Sequence, residues 1–189
     1  CHYKPSSHGD QGCVIGAGIK NFRLKVNRNH PVGVILQIED DWQFKNNGVF
    51  PSCGDLVAFL LSQWPDQKLL VRPHPGQQDV ALPDHRNVKV KRDGNLQDFF
   101  GRVKCIAGAN STALLEALEY GHVTYQFGIG IGHKSGAFVT EPIHPREALK
   151  TRQDRLFRYE QLLYDLKVER QIDTAGDIPA QLCWNKPLK

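Results

Sequence analysis

Four short runs of apolar residues divide this chain: Val32 to Ile38, Lys68 to Arg72, Val103 to Gly108, and Val123 to Phe127. Each has the length of a strand. Their near-continuous apolar character, rather than an in-out alternation, predicts strands buried on both faces, as in a parallel sheet. A shorter piece, Val88-Lys89-Val90, reads as a further strand. Helical patterns fall between the runs. Ser52 precedes Leu56, Val57, Phe59, Leu60 and Leu61, with Asp55 placed as a capping-box-like acid and Pro65 as the stop. Leu96 to Arg102 forms a short helix with Phe99 and Phe100 inward, and Ser111 to Tyr120 forms another, closed by Gly121. Leu149, Leu156, Tyr159, Leu162, Leu163 and Leu166 recur near helical spacing over 145–170, and a last helix is expected over 174–182. Loops are expected at 42–51, 76–86 and 128–136.

Strands alternating with helices define an α/β chain with a Rossmann-like, mostly parallel sheet. The organisation expected is an irregular interdomain or linker segment over 1–31, a ligand-binding domain over 32–145, and C-terminal helices over 146–189. In open α/β sheets ligands bind at the carboxyl ends of the strands. Three of the strands carry polar groups there: Gln37 to Asp41, Arg72 to Pro75, and Asn110 to Thr112.

Composition changes this picture little. The 189 residues are 40% hydrophobic and 23% charged, which fits one packed domain. The absence of methionine suggests a piece of a longer protein, with a partner domain elsewhere. A net charge of +4 suits anionic ligands but is too weak for a nucleic-acid partner. Five cysteines, none in a C-x-x-C pair, are expected to be reduced thiols, and no Cys/His cluster has metal-ligand spacing, so no metal is expected. No run of eighteen apolar residues is available to span a membrane.

The candidate chemistry lies at the strand ends. His74, held between two prolines, can donate to a phosphate or carboxylate oxygen, and Arg72 can do so bidentately. A rigid turn with a solvent-facing imidazole is the plainer alternative. Asn110 and Ser111 are natural helix caps, with Thr112 beside them, and the same geometry favours an anion. Glu39, Asp40 and Asp41 repel one another unless cations or a function compensate. Near an anomeric carbon, such a carboxylate can act as a nucleophile or stabilise an oxocarbenium-like transition state. If the first strand persists, Gln37, Glu39 and Asp41 share one side. The glycine-rich stretch over 128–136 has neither the dinucleotide fingerprint nor P-loop spacing. It reads as a plain flexible loop or as a lid bringing His133, Lys134 and Ser135 to an anionic substrate.

Taken together, Gln37 and Asp41 as a Q-x-x-x-D motif, His74-Pro75 as an H-P motif, and Asn110-Ser111-Thr112 at a helix start resemble the retaining β-Kdo glycosyltransferases of bacterial capsule and O-antigen assembly. The resemblance covers roughly residues 32–140. It implies one half of a GT-B-like architecture, the donor-binding part, with an N-terminal acceptor domain elsewhere in the protein. It implies CMP-Kdo as donor, a bacterial surface or lipid-linked glycan as acceptor, and no cofactor or metal. Asp41 would form a covalent Kdo adduct in a double displacement, with Glu39 and Gln37 completing the catalytic group. His74 and Ser111 would hold the CMP phosphate, with Arg72 assisting by its charge. A cytoplasmic location follows, with peripheral attachment at the inner membrane face left open. Two other classes remain: a CDP-glycerol-type polyol-phosphate transferase, and a non-catalytic nucleotide-sugar binding module.

Overall fold

A computed structural model describes residues 26–47, 49–130 and 132–170, with side chains placed as far as Leu163. Most of the expected 1–31 segment, the expected helix over 174–182, and the side chain of Leu166 lie outside the described residues. The strands are β1 (Val32–Ile35), β2 (Leu69–Arg72), β3 (Val88–Val90), β4 (Cys105–Gly108) and β5 (Thr124–Gln126). They form one sheet in the order β3-β2-β1-β4-β5, with every neighbouring pair parallel. This is the α/β, Rossmann-like architecture expected from the sequence. In register, Ile35 of β1 lies beside Arg72 of β2 and Gly108 of β4. The three polar strand ends therefore emerge side by side at one edge.

The sheet is covered on both faces, which is why its strands carry little polar character. Against one face, α2 (Cys53–Gln63) packs Cys53, Leu56, Val57 and Leu60 onto Val32, Val34, Leu69, Val71, Cys105 and Ala107. Trp64 is fully buried in this layer, stacked edge-on to Tyr125, and its indole N–H donates to the Pro142 carbonyl. Against the other face lie α3 (Leu96–Phe100), α4 (Ala113–Glu119) and α6 (Arg152–Arg170), which contribute Phe99, Phe100, Leu114, Leu118, Leu156 and Tyr159. A short helix, α5 (Pro145–Ala148), and a single 3-10 turn lead into α6. No helix among the described residues is long and apolar enough to cross a membrane.

The helix starts follow local chemistry. Ser52 accepts the Asp55 amide at the start of α2, and Asn95 accepts the Asp98 amide at the start of α3. Gly121 ends α4 with φ +92°, a conformation that costs a residue with a Cβ. Gly33 has a different reason to be glycine. A Cβ there would lie 2.9 Å from Ile106 Cδ1 and 3.0 Å from both Phe99 and Val103. Gly33→Ala is therefore expected to cost about 2 kcal/mol by overpacking. A urea midpoint equal to that of the unsubstituted chain would show that this layer can rearrange freely.

Two local expectations are corrected. Residues 42–51 are not all loop, because Trp42–Asn47 form a helix, α1. Its start is chemical: the Asp41 carboxylate accepts the Gln43 amide at 2.7 Å. Only Phe44 of α1 is buried, so the stretch has no apolar periodicity to read. The first strand also stops at Ile35, short of the expected Ile38. A turn closed by Asp41 N–H donating to the Ile38 carbonyl diverts the chain into α1. Gln37, Glu39 and Asp41 therefore do not share a strand face.

Candidate active site at the carboxyl edge of the sheet

The sequence order of the strands reverses between β1 and β4, and in this class of sheet the crevice at such a switch point is where ligands bind. Gln37 and Asn110 meet there. Gln37 is buried, and its side-chain oxygen accepts the Asn110 amide at 3.1 Å. The Asn110 carboxamide donates to the carbonyls of Gln43 and Ile129. It thereby ties α1 to the glycine-rich loop. The Asn110 Oδ1 and the Oε1 of neighbouring Gln126 are both buried and accept no hydrogen bond within the described protein. Asn110 thus spends its donors on architecture. Ser111 is half-buried, with its hydroxyl accepting the Ala113 amide, whereas Thr112 is exposed at the head of α4.

The three consecutive acids part company. Asp40 points to solvent and pairs with Lys45 at 2.9 Å. Glu39 turns inward: one oxygen accepts the Cys53 amide at 2.6 Å, and the other accepts the Gln77 carboxamide at 3.3 Å. Asp41 stays exposed, with one oxygen on the Gln43 amide. The repulsion expected from the sequence is relieved because each carboxylate has a different direction and a different donor.

His74 sits on the next strand end, half-buried, in a turn closed by Gln77 N–H donating to the His74 carbonyl. Its Nδ1 accepts the Gly76 amide at 3.0 Å. In the neutral ring the proton must then reside on Nε2, which becomes the donor available to a ligand. Burial holds His74 below its ordinary pKa, offset in part by the negative charge of Asp41. That electrostatic coupling links the β1 and β2 ends. Arg72 is directed elsewhere. Its guanidinium donates to the Gly94 carbonyl at 2.7 Å and lies 5.9 Å over the Phe99 ring. It braces the β3–α3 connection.

The glycine-rich loop does not bring its three candidates to one point. Lys134 is exposed, and His133 is half-buried with its Nδ1 enclosed and unpartnered within the described protein. Ser135 bonds back to the Gly132 carbonyl at 2.6 Å. It also lines a cleft of about 370 Å³ with Asp154, Phe157, Arg158, Gln161 and Leu162. None of those α6 residues lies at the ends of β1, β2 or β4. Gly128 packs this loop tightly onto the site, since a Cβ there would come within 2.9 Å of the Asn47 carbonyl.

Among the described residues no group of His, Cys, Asp and Glu is arranged to hold a metal ion. Cys53 and Cys105 are buried free thiols. Burial raises their pKa values to about 11 and about 12, which makes them poor nucleophiles. Cys1, Cys13 and Cys183 lie outside the described residues. Gln77, Gln43 and Gln126 lie at the candidate site and were missed by sequence reasoning, because an isolated glutamine in a turn, in a short helix without apolar periodicity or at a strand end carries no pattern that could have singled it out.

No family model matches the chain, and no curated protein matches it. Solved structures do. The Thermosulfurimonas dismutans KpsC beta Kdo 2,7 transferase superposes with a TM-score of 0.51 at 14% identity, covering 72% of this chain and 54% of that one. The beta Kdo 2,4 transferase of KpsC from the same organism gives 0.49 at 19% identity, covering 75% and 47%. The wall teichoic acid polymerase TagF gives 0.43 at 15% identity, covering 85% and 43%. The chain thus spans about half the length of the first of these structures, and what it shares with that transferase is the fold.

Proposed function

We propose that this chain is the donor-binding half of a retaining glycosyltransferase that uses CMP-Kdo and passes Kdo to a bacterial surface or lipid-linked glycan. The observation that carries the reading is that the segments bearing Asp41, His74 and Ser111 follow the adjacent strands β1, β2 and β4 at the carboxyl edge of the sheet, beside the switch point. In this reading His74 donates from Nε2 to a phosphate oxygen of CMP, and the Ser111 hydroxyl assists. Asp41 attacks the anomeric carbon of Kdo. The bond from that carbon to the phosphate oxygen breaks, and CMP leaves with the electron pair. An acceptor hydroxyl then displaces Asp41, which leaves as a carboxylate, and gives up its proton to solvent, so that two inversions give net retention. The phosphate leaves as a stable anion, so the first step needs charge stabilisation more than protonation. No cofactor or metal enters the scheme.

Asp41 is preferred over Asp40, which points to solvent and pairs through one oxygen with Lys45. With both oxygens accepting internal N–H groups, Glu39 has its part in holding the site, as does Gln37 through Asn110. The acceptor would be bound by a second domain, a reading supported by the fold likeness covering only 54% of the KpsC transferase chain.

The test is the intact mass of the full-length protein after brief exposure to CMP-Kdo. A gain of one Kdo residue is expected, and its absence in Asp41→Ala would locate the adduct. Turnover with no adduct would point to direct displacement. Neither turnover nor adduct with CMP-Kdo, alongside activity on CDP-glycerol, would replace this reading with polyol-phosphate transfer. Ligand binding without any turnover would leave a binding module.

A further inference from the structure

We infer that Gln77, paired reciprocally with Glu39, is a positioning residue that fixes the Asp41-bearing end of β1 against the His74-bearing end of β2. The inference rests on the reading of Asp41 and His74 given above. Its observation is a two-way hydrogen bond between segments that are far apart in sequence. The Glu39 amide donates to the Gln77 side-chain oxygen at 2.7 Å, and the Gln77 side-chain nitrogen donates back to the Glu39 carboxylate at 3.3 Å.

The pair is anchored on every side. Glu39 also accepts the Cys53 amide at 2.6 Å, which ties it to the start of α2. Gln77 closes the His74 turn through its own backbone N–H, and His74 and Gln77 form an isolated antiparallel bridge. Gly76, inside that turn, packs so closely that a Cβ would sit 3.2 Å from Ile38 Cδ1 and 3.3 Å from His74 Nδ1. Ile38 in turn accepts the Asp41 amide. A shift of Gln77 therefore reaches His74 through the turn and Asp41 through Glu39 and Ile38.

The pair has a fixed polarity. The Gln77 oxygen must face the Glu39 amide, so its nitrogen must face the Glu39 side chain, which must then present an acceptor. This gives a test that separates positioning from chemistry at Glu39. Glu39→Gln alone sets two carboxamide nitrogens against each other, and Gln77→Glu alone sets two carboxylates against each other. The double substitution Glu39→Gln with Gln77→Glu restores one donor facing one acceptor and keeps an acceptor for the Glu39 and Cys53 amides.

The measurements are kcat and KM for CMP-Kdo, per folded molecule of the full-length protein, together with the ring-nitrogen NMR shifts of His74. Gln77→Ala is expected to lower kcat by about tenfold to a hundredfold, with little change in KM, because a small misplacement of reacting groups is costly. It is also expected to move the His74 ring shifts. Each single swap should lose activity, and the double swap should recover most of it. A role confined to stability would lower the folded fraction while leaving kcat per folded molecule and the His74 shifts unchanged, and that result overturns the inference. So does a double swap as inactive as Glu39→Gln alone, which would make the Glu39 charge itself essential. If the unsubstituted protein does not turn over CMP-Kdo, the functional reading fails by itself. The His74 shifts in Gln77→Ala then decide the positioning role: moved shifts sustain it and unmoved shifts end it.

Discussion

On the function proposed above, Asp41→Ala is expected to reduce Kdo transfer by about ten-thousand-fold or more, the scale on which removal of a covalent nucleophile acts. Its effect on stability should be far smaller. The carboxylate is exposed, and its one hydrogen bond within the described protein caps the first turn of α1 through the Gln43 amide. Losing such a cap costs about 1 kcal/mol. The two effects can be separated further, because Asp41→Asn keeps a side-chain oxygen for the Gln43 amide but removes the anion. The asparagine variant should match the unsubstituted protein in its urea midpoint and the alanine variant in its lack of activity. Activity within tenfold of normal in the asparagine variant would remove Asp41 from the role of nucleophile. Loss of activity only in parallel with unfolding would reduce it to a helix cap.

The second large effect concerns pH, and it arises away from the site. His122 is buried between Phe100, 5.7 Å away, and Tyr120, whose ring is stacked at 5.9 Å. Burial lowers its pKa from the ordinary 6.5 to about 4, with the Arg152 charge adding to the effect and the backbone at Lys104 and Phe100 offsetting it in part. Between those values the unfolded chain holds a proton that the folded chain refuses. Stability therefore falls as pH falls, and the contribution present above about pH 6.5 is lost on the way down through pH 4. A shift of this size corresponds to roughly 3 kcal/mol in total, of which about 2 is gone by pH 5. Urea midpoints of the unsubstituted chain and of His122→Phe, taken at pH 7.5 and pH 5, would isolate this residue from the carboxylates that titrate nearby. The variant should lose clearly less stability over that interval. Equal losses in the two proteins would mean that His122 is protonated without strain and that the acid sensitivity lies elsewhere.

The two effects occupy different parts of the molecule for a physical reason. His122 sits where β5 begins, at the amino edge of the sheet, packed in an aromatic cluster with Phe100 and Tyr120. His74 sits at the carboxyl edge, half-buried, where burial and the Asp41 charge act in opposite directions. Acid would thus act on the fold through one histidine and on the site through the other. A pH profile of activity at constant folded fraction separates the titration of the site, His74 included, from that of His122.

What the sequence by itself determined is what repeats or terminates locally. The apolar runs marked β1, β2, β4 and β5, because a strand buried on both faces cannot carry polar side chains without partners. Ser52, Asp55, Pro65 and Gly121 marked helix ends, because unsatisfied backbone groups and positive φ have few solutions. The placing of polar groups at the ends of three strands could be read from the same runs. The tertiary structure alone decided the rest. Only the strand order sets β1 between β2 and β4 and so brings Asp41, His74 and Ser111 to one edge. Only packing turns Arg72 away toward Gly94 and Phe99, and only the diverted chain after Ile35 separates Gln37, Glu39 and Asp41. The bonds that build the site, Glu39 with Gln77 across 38 residues and Gln37 with Asn110 across 73, join groups with no periodic relation to each other. A hydrogen bond between distant loops leaves no periodicity along the chain, so it becomes visible only once the sheet has brought the two loops together.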